Sequence, residues 1–126
     1  MIDESVTIAA PPSDVWRALV SPEGWWPHMR LSATSFEERW TDSDGTRKVT
    51  SGQVVGREEP KRLALTWADE DWPTHTEVEV TLTPVPGGTL VRVRHTGWAS
   101  LLAEVVEAHR EGWRAHLTNL KAWVER

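Results

Sequence analysis

The sequence feature that most constrains the fold is a periodic stretch near the C-terminal end, residues 100–125. When these residues are placed at 100° per residue, one stripe roughly 120° wide collects the apolar side chains and two histidines. The stripe consists of Leu102, Val105, Val106, His109, Trp113, His116, Leu117, Leu120, Trp123 and Val124. Charged and polar residues occupy the opposite face, and Ser100 is the predicted N-cap. The pattern predicts one long amphipathic helix that lies along a core.

Two features of this helix are unusual for a plain core-facing element. His109 and His116 interrupt the apolar stripe, and Gly112 lies mid-helix, where glycine costs about 1 kcal/mol relative to alanine. The histidines are separated by ~10.5 Å along the helix axis, whereas a shared metal ion requires neighbours at i, i+4. We therefore predict no metal site. The histidines are either interior groups satisfied by protein acceptors or polar anchors for a ligand, and Gly112 marks either close approach of sheet or ligand or an ordinary packing contact.

The rest of the chain is dominated by a period of two, which predicts antiparallel strands joined by tight turns. A first strand at residues 5–9 precedes a helix at Pro12–Val20 and one structured turn at residues 23–27. The later strands are predicted at residues 33–40, 47–57, 62–67, 77–82 and 90–95, with an acidic loop at 68–74. The predicted class is α+β: an antiparallel sheet of about six strands, one or two short helices after the first strand, and the long C-terminal helix.

No motif predicts catalysis. The chain has no Gly-x-Ser-x-Gly elbow, phosphate loop or dinucleotide fingerprint. Glu37 and Glu38 are neighbours on a strand and point to opposite faces, so they are not a paired carboxylate site. We predict no catalytic residue and no cofactor.

Composition limits the partners. A chain of 126 residues is expected to form one domain, residues 1–126. The net charge is −5 and basic residues are scattered, which disfavours nucleic acids and anionic membranes. Cysteine is absent, which excludes disulfides and thiolate zinc sites. No signal-peptide pattern or apolar run of membrane length occurs, so the predicted location is cytoplasmic.

The aromatic residues of the chain are nine tryptophans and one phenylalanine, with no tyrosine. Tryptophan is therefore expected to be the main aromatic residue of the interior. Trp113 lies on the helix stripe, and Trp40 and Trp67 can project from strands. Core packing is the expected role of any single tryptophan. Among nine, we expect one or two to line a cavity.

Four segments resemble the START/SRPBCC superfamily, in its order and spacing. They are IAAPPSDVWRALVSPEGWW (8–26), GQVVGREEPKRLALTW (52–67), TEVEVTLTPVPGGTLVRVRHTGW (76–98) and EGWRAHLTNLKAWVE (111–125). Within the superfamily they resemble the branch named for the C-terminal domain of the activator of the heat-shock-protein-90 ATPase. The resemblance implies a helix-grip fold, in which a curved sheet grips the C-terminal helix around an elongated cavity. Many members bind apolar small molecules there, and some relatives act on them chemically.

The leading hypothesis is a non-enzymatic binding protein that holds a small apolar molecule between the sheet and the C-terminal helix. The predicted ligand-binding residues are Trp40, Trp67, His109, Gly112, Trp113, His116 and Leu120. One alternative is an interaction module that binds a protein partner, which a packed interior and an apolar outer patch would favour. Another is a cyclase or hydrolase using His109 or His116, which an accessible cavity with a strongly shifted histidine pKa would favour. The oligomeric state stays open.

Overall fold

The computed structural model describes residues 1–99 and 101–126, and this part of the chain holds seven strands and two α-helices. A 3-10 turn at Pro22–Gly24 follows the first helix. The elements in chain order are β1 (Ile2–Ile8), α1 (Pro12–Val20), β2 (Met29–Leu31), β3 (Ser35–Thr41), β4 (Arg47–Glu58), β5 (Arg62–Asp69), β6 (Thr76–Val85), β7 (Gly88–Thr96) and α2 (Ala103–Val124). The predicted fold class is confirmed. The strand beyond the expected six is β2, which is only three residues long.

All strands pair antiparallel in one curved sheet of order β1-β7-β6-β5-β4-β3-β2. Strands β2 to β7 follow one another as neighbours, whereas β1 pairs with β7 at the far edge. A bulge between Val54 and Gly56 shifts the register of β4 against β5, and bulges of this kind bend a sheet. On β4, a Cβ at Gly52 would overlap the carbonyl oxygen of Thr66, so this close crossing requires glycine.

The long helix α2 has the predicted phase but begins later than predicted. Trp113, Leu117 and Leu120 are buried, and the glutamates of the opposite face are exposed. The predicted N-cap Ser100 lies outside the described residues. Leu102 occupies the cap position with extended backbone and is 65% exposed, so its assignment to the buried stripe is wrong. Within the described residues, neither helix combines the length and the apolar character needed to cross a membrane.

Three indole rings pack against one another between the sheet and α2. Trp26 follows the 3-10 turn, Trp67 lies on β5 and Trp113 on α2, and all three are buried. Their ring centroids are 5.2 to 6.2 Å apart. The cavity that remains beside them is about 30 Å³, which is enough for water but too small for an organic ligand. The deep apolar space expected from the resemblance is therefore occupied by side chains.

Candidate functional site

A cleft of about 300 Å³ lies between strands β3 to β5 and the middle of α2. Its walls are formed by Glu38, Trp40, Thr50, Trp67 and Asp69 from the sheet and by Ala108, His109, Gly112, Trp113 and His116 from the helix. All the predicted ligand-binding residues except Leu120 therefore line one cleft. Leu120 borders the small internal cavity instead, together with Trp67, Trp113 and His116.

Gly112 leaves part of this cleft open. A Cβ placed on Gly112 would meet no protein atom within 4 Å. Neither close approach of the sheet nor an ordinary packing contact explains the glycine, and close approach of a ligand stays a prediction. A side chain at this position would occupy space that the cleft now provides.

One wall of the cleft is a polar row across three strands. Glu38 pairs with Thr50, and Thr50 pairs with Asp69, so the three side chains lie on the same face of β3, β4 and β5. The Thr50 hydroxyl donates a 2.5 Å hydrogen bond to Oδ1 of Asp69 and accepts one of 2.9 Å from the indole N–H of Trp40. The indole N–H of Trp26 donates to Oε2 of Glu38 at 2.8 Å. One hydrogen bond within the row and two from neighbouring indole groups thus hold these side chains in place.

Burial raises the pKa of both carboxyl groups in this row. For Asp69 the hydrogen bond from Thr50 opposes the effect of burial on the pKa, and for Glu38 the hydrogen bond from Trp26 does so. Neither carboxylate forms an ion pair within residues 1–99 and 101–126. Their negative charges are therefore poorly compensated by the protein.

The sequence analysis missed this pair of carboxylates. It placed Asp69 in an acidic loop, whereas β5 continues to Asp69 with the side chain buried on the inner face. Only Glu37 and Glu38 were considered as a carboxylate pair, whereas the second carboxylate beside Glu38 comes from another strand. The signal that could have found it is the alternation of Leu63, Leu65 and Trp67, which Asp69 continues by one more step.

His95 on β7 is fully buried and forms a chain of hydrogen bonds behind the cleft. Its Nδ1 lies 3.0 Å from the indole nitrogen of Trp113, and its Nε2 lies 2.6 Å from the hydroxyl of Thr76. Because an indole N–H can only donate, Nδ1 accepts and Nε2 carries the proton. The Thr76 hydroxyl then donates to the backbone oxygen of Trp67 at 2.7 Å. Sequence reasoning gave His95 no role.

The pKa of His95 fits this arrangement. Burial, followed by the influence of the nearby His109, lowers the pKa of His95 to about 3. A proton on Nδ1 would also break the hydrogen bond from Trp113. The neutral imidazole therefore fixes the indole of Trp113, which forms part of the cleft wall.

The two predicted histidines differ in how the protein satisfies them. The Nδ1–H of His109 donates to the backbone oxygen of Val105 at 2.9 Å, so Nε2 is left without a protein partner in the described part of the chain. His116 stacks on Trp26 at a centroid distance of 3.7 Å. Its side chain forms no hydrogen bond with the described residues. Burial, followed by the influence of His109, lowers the pKa of His116 to about 4. Of the four ring nitrogens of His109 and His116, one is therefore bonded to a protein acceptor in the described part of the chain, namely Nδ1 of His109.

The residues described contain no cluster of three histidine or carboxylate side chains arranged to hold a metal ion. The cleft presents indole faces, one histidine nitrogen, and carboxylate oxygens that accept no hydrogen bond from the described residues.

A curved antiparallel sheet closed by a long C-terminal helix defines the helix-grip class of the START/SRPBCC superfamily. The profile of the family described as Activator of Hsp90 ATPase homolog 1-like protein matches residues 9–125, so the chain belongs to that family. The predicted resemblance is confirmed. A comparison with curated proteins gives no match.

Several solved structures share the fold. Protein MLL2253 from Mesorhizobium loti has a TM-score of 0.81 at 24% identity, over 99% of this chain and 96% of that protein. DynU16, a putative protein in the dynemicin biosynthetic locus, has a TM-score of 0.81 at 21% identity, over 98% of this chain. This chain spans only 46% of DynU16. The Aha1 dimer from Colwellia psychrerythraea has a TM-score of 0.74 at 20% identity, over 95% and 92% of the two chains. At these identities the similarity concerns the fold alone.

Proposed function

We propose that this protein binds a small, ring-containing and largely apolar molecule in the cleft between β3–β5 and α2. The observation that supports this function most directly is the open space of about 300 Å³ beside Gly112. Indole rings form its walls and a few polar groups lie at one side, which is the usual composition of a small-molecule site. The volume is at the lower limit for such sites, about 300 Å³, so the expected ligand has one or two fused rings.

The cleft is a better place for the ligand than the space behind it. The small cavity is lined by Trp26, Trp113 and His116 among other residues, and its volume is only about 30 Å³. A fused-ring ligand would fit there only if side chains of the lining moved. The open cleft requires no such rearrangement.

The surface gives little support to the protein-interaction alternative. The exposed large apolar residues of the described chain are Met1, Val55 and Leu102. Met1 precedes β1, Val55 lies within β4 and Leu102 precedes α2. Single exposed apolar residues are normal on protein surfaces, and a docking site is expected to present a contiguous patch.

The enzyme alternative receives partial support from His116, which lines the accessible cleft and has a strongly shifted pKa. A pKa of about 4, however, makes this imidazole a weak base at neutral pH, whereas an efficient general base has a pKa near the operating pH. Its stacking on Trp26 also holds the ring in place. We therefore favour binding over acid–base catalysis.

The test is calorimetric titration with 1-naphthylmethanol, a neutral fused-ring probe, against the wild type and two leucine variants. Gly112→Leu fills the cleft, and we expect it to abolish saturable binding without lowering the melting temperature, because glycine costs the helix about 1 kcal/mol. Ala122→Leu is the control, since Ala122 is exposed on the same helix and does not line the cleft. It should bind like the wild type. Equal binding by wild type and Gly112→Leu would contradict the proposed function, and so would a wild type that binds neither this probe nor its amine and carboxylate analogues.

A further inference from the structure

We propose that the ligand of this cleft carries a basic nitrogen, and that the cleft binds a small arylalkylamine, with the nitrogen on a saturated carbon, in its ammonium form against the carboxylates of Glu38 and Asp69. This inference rests on the proposed function and adds the chemical class of the ligand. It concerns the polar end of a molecule whose rings lie between the indole walls.

The fixed charges of the cleft lining favour a cationic ligand. Glu38 and Asp69 are both in the wall, and the lining contains no lysine or arginine. The nearby Lys48 is engaged with Asp71 at 3.3 Å. Of the lining residues, only the histidines can become cations, and burial keeps His116 neutral at neutral pH because its pKa is about 4. The fixed charges of the lining are therefore both negative, and the positive groups that act on Asp69 are His109 and Lys48.

The buried carboxylate of Asp69 is only partly hydrogen-bonded by the protein. Its side chain lines the cleft although the residue is only 9% exposed. Oδ1 accepts the Thr50 hydroxyl, whereas Oδ2 accepts no hydrogen bond from the described residues. Burying an ionised carboxylate costs free energy unless a cation or hydrogen bonds compensate its charge. The raised pKa values of Asp69 and Glu38 have the same cause, since burial disfavours the ionised form.

The remaining walls of the cleft also suit an ammonium group. Trp40, Trp67 and Trp113 line the cleft, and indole faces attract cations more strongly than other aromatic rings. In its neutral form His109 presents Nε2 as a further acceptor, because Nδ1 is bonded to Val105. An ammonium group has up to three N–H donors for these acceptors. An anionic ligand would meet two carboxylates, and a neutral one would leave their charge uncompensated.

The experiment compares three probes of nearly equal shape: 1-naphthylmethylamine, 1-naphthylmethanol and 1-naphthoate. We expect the amine to bind about tenfold more tightly than the alcohol, as a charge-assisted hydrogen bond allows, and the carboxylate to bind most weakly. Calorimetric titration at neutral pH and low salt gives all three affinities on the same protein.

Asp69→Asn removes one charge and keeps the shape. In this variant we expect the ratio of amine to alcohol affinity to fall toward one. Glu70→Gln is the control, because Glu70 is an exposed carboxylate next to Asp69 in sequence that does not line the cleft. It should keep the wild-type ratio. Glu38→Gln tests the same point from the other carboxylate if Asp69→Asn fails to fold.

The two proposals fail in different ways. If the amine and the alcohol bind equally, or if Glu70→Gln lowers their ratio as much as Asp69→Asn does, the ligand class is wrong while the cleft remains the binding site. If none of the three probes binds, or if Gly112→Leu binds them as the wild type does, the proposed function itself is overturned.

Discussion

The indole N–H of Trp113 on α2 donates a hydrogen bond to Nδ1 of His95 on β7, over 3.0 Å. Both residues are buried, so this is a polar contact between helix and sheet without access to water. Through Nε2 of His95 the chain continues to Thr76 and to the backbone of Trp67. The two tryptophans that line the cleft from opposite sides are thus linked through one neutral histidine.

This relationship predicts a difference between two similar substitutions. Trp113→Phe removes the donor and leaves Nδ1 of His95 buried without a partner, which costs about 1–3 kcal/mol in addition to lost packing. Trp67→Phe loses comparable ring volume, but the buried indole N–H of Trp67 has no hydrogen-bond partner among residues 1–99 and 101–126. We therefore expect Trp113→Phe to lower the free energy of unfolding more than Trp67→Phe, by about 1–2 kcal/mol. Urea denaturation of the two variants decides this, and equal losses would contradict the hydrogen-bond assignment.

The histidines predict loss of stability in acid. In the unfolded chain a histidine titrates near 6.5, whereas the folded pKa values are about 3 for His95 and about 4 for His116. Between these values the unfolded state binds more protons, so stability falls as the pH decreases below 6.5. Each histidine contributes up to about 1.4 kcal/mol per pH unit. Glu38 and Asp69 act in the opposite direction in acid, because their folded pKa values are raised.

The measurement is the free energy of unfolding as a function of pH for the wild type and His116→Gln. We expect the variant to lose stability less steeply between neutral pH and about pH 5, since one of the two titrating groups is gone. His75→Gln serves as the control because His75 is exposed. A slope that His116→Gln leaves unchanged would show that this imidazole is protonated equally in both states.

The sequence predicted the elements whose pattern is local. The stripe of α2 correctly placed Trp113 and Leu120 in the core, since helical periodicity depends only on neighbouring residues. The same reasoning could not find β2, because three residues are too few to show alternation. It also extended the helix to Leu102, where the chain is still extended.

The candidate site was only partly predictable for a different reason. Residues on α2 could be assigned to the interior from their phase, and His109, Gly112 and His116 were found in this way. The row of Glu38, Thr50 and Asp69 depends on the register of three strands and on the bulge in β4, which no local pattern specifies. The stacking of His116 on Trp26 likewise joins residues far apart in the sequence.

Two glycines predict opposite outcomes for the same change. Gly112→Ala adds a methyl group in open space and a better helix former, so it should raise the free energy of unfolding by about 0.5–1 kcal/mol. Gly52→Ala would place its methyl group on the carbonyl oxygen of Thr66 and should destabilise the protein strongly. Thermal melting of both variants tests this. A destabilised Gly112→Ala would mean that the cleft is closed in solution.

The polar row predicts a pH-dependent cost for removing one hydroxyl. Thr50→Val keeps the shape of the side chain, but it removes the donor to Asp69 and the acceptor for Trp40. Thr50 is buried, so we expect a loss of about 1–3 kcal/mol at neutral pH. The hydrogen bond from Thr50 favours the ionised form of Asp69, so its removal raises the pKa of Asp69 further. The destabilisation should therefore be greatest where Asp69 is ionised and should shrink as the pH falls and Asp69 becomes protonated. Thr50→Ser retains the hydroxyl and is the control, and a pH-independent cost shared by both variants would indicate lost packing instead.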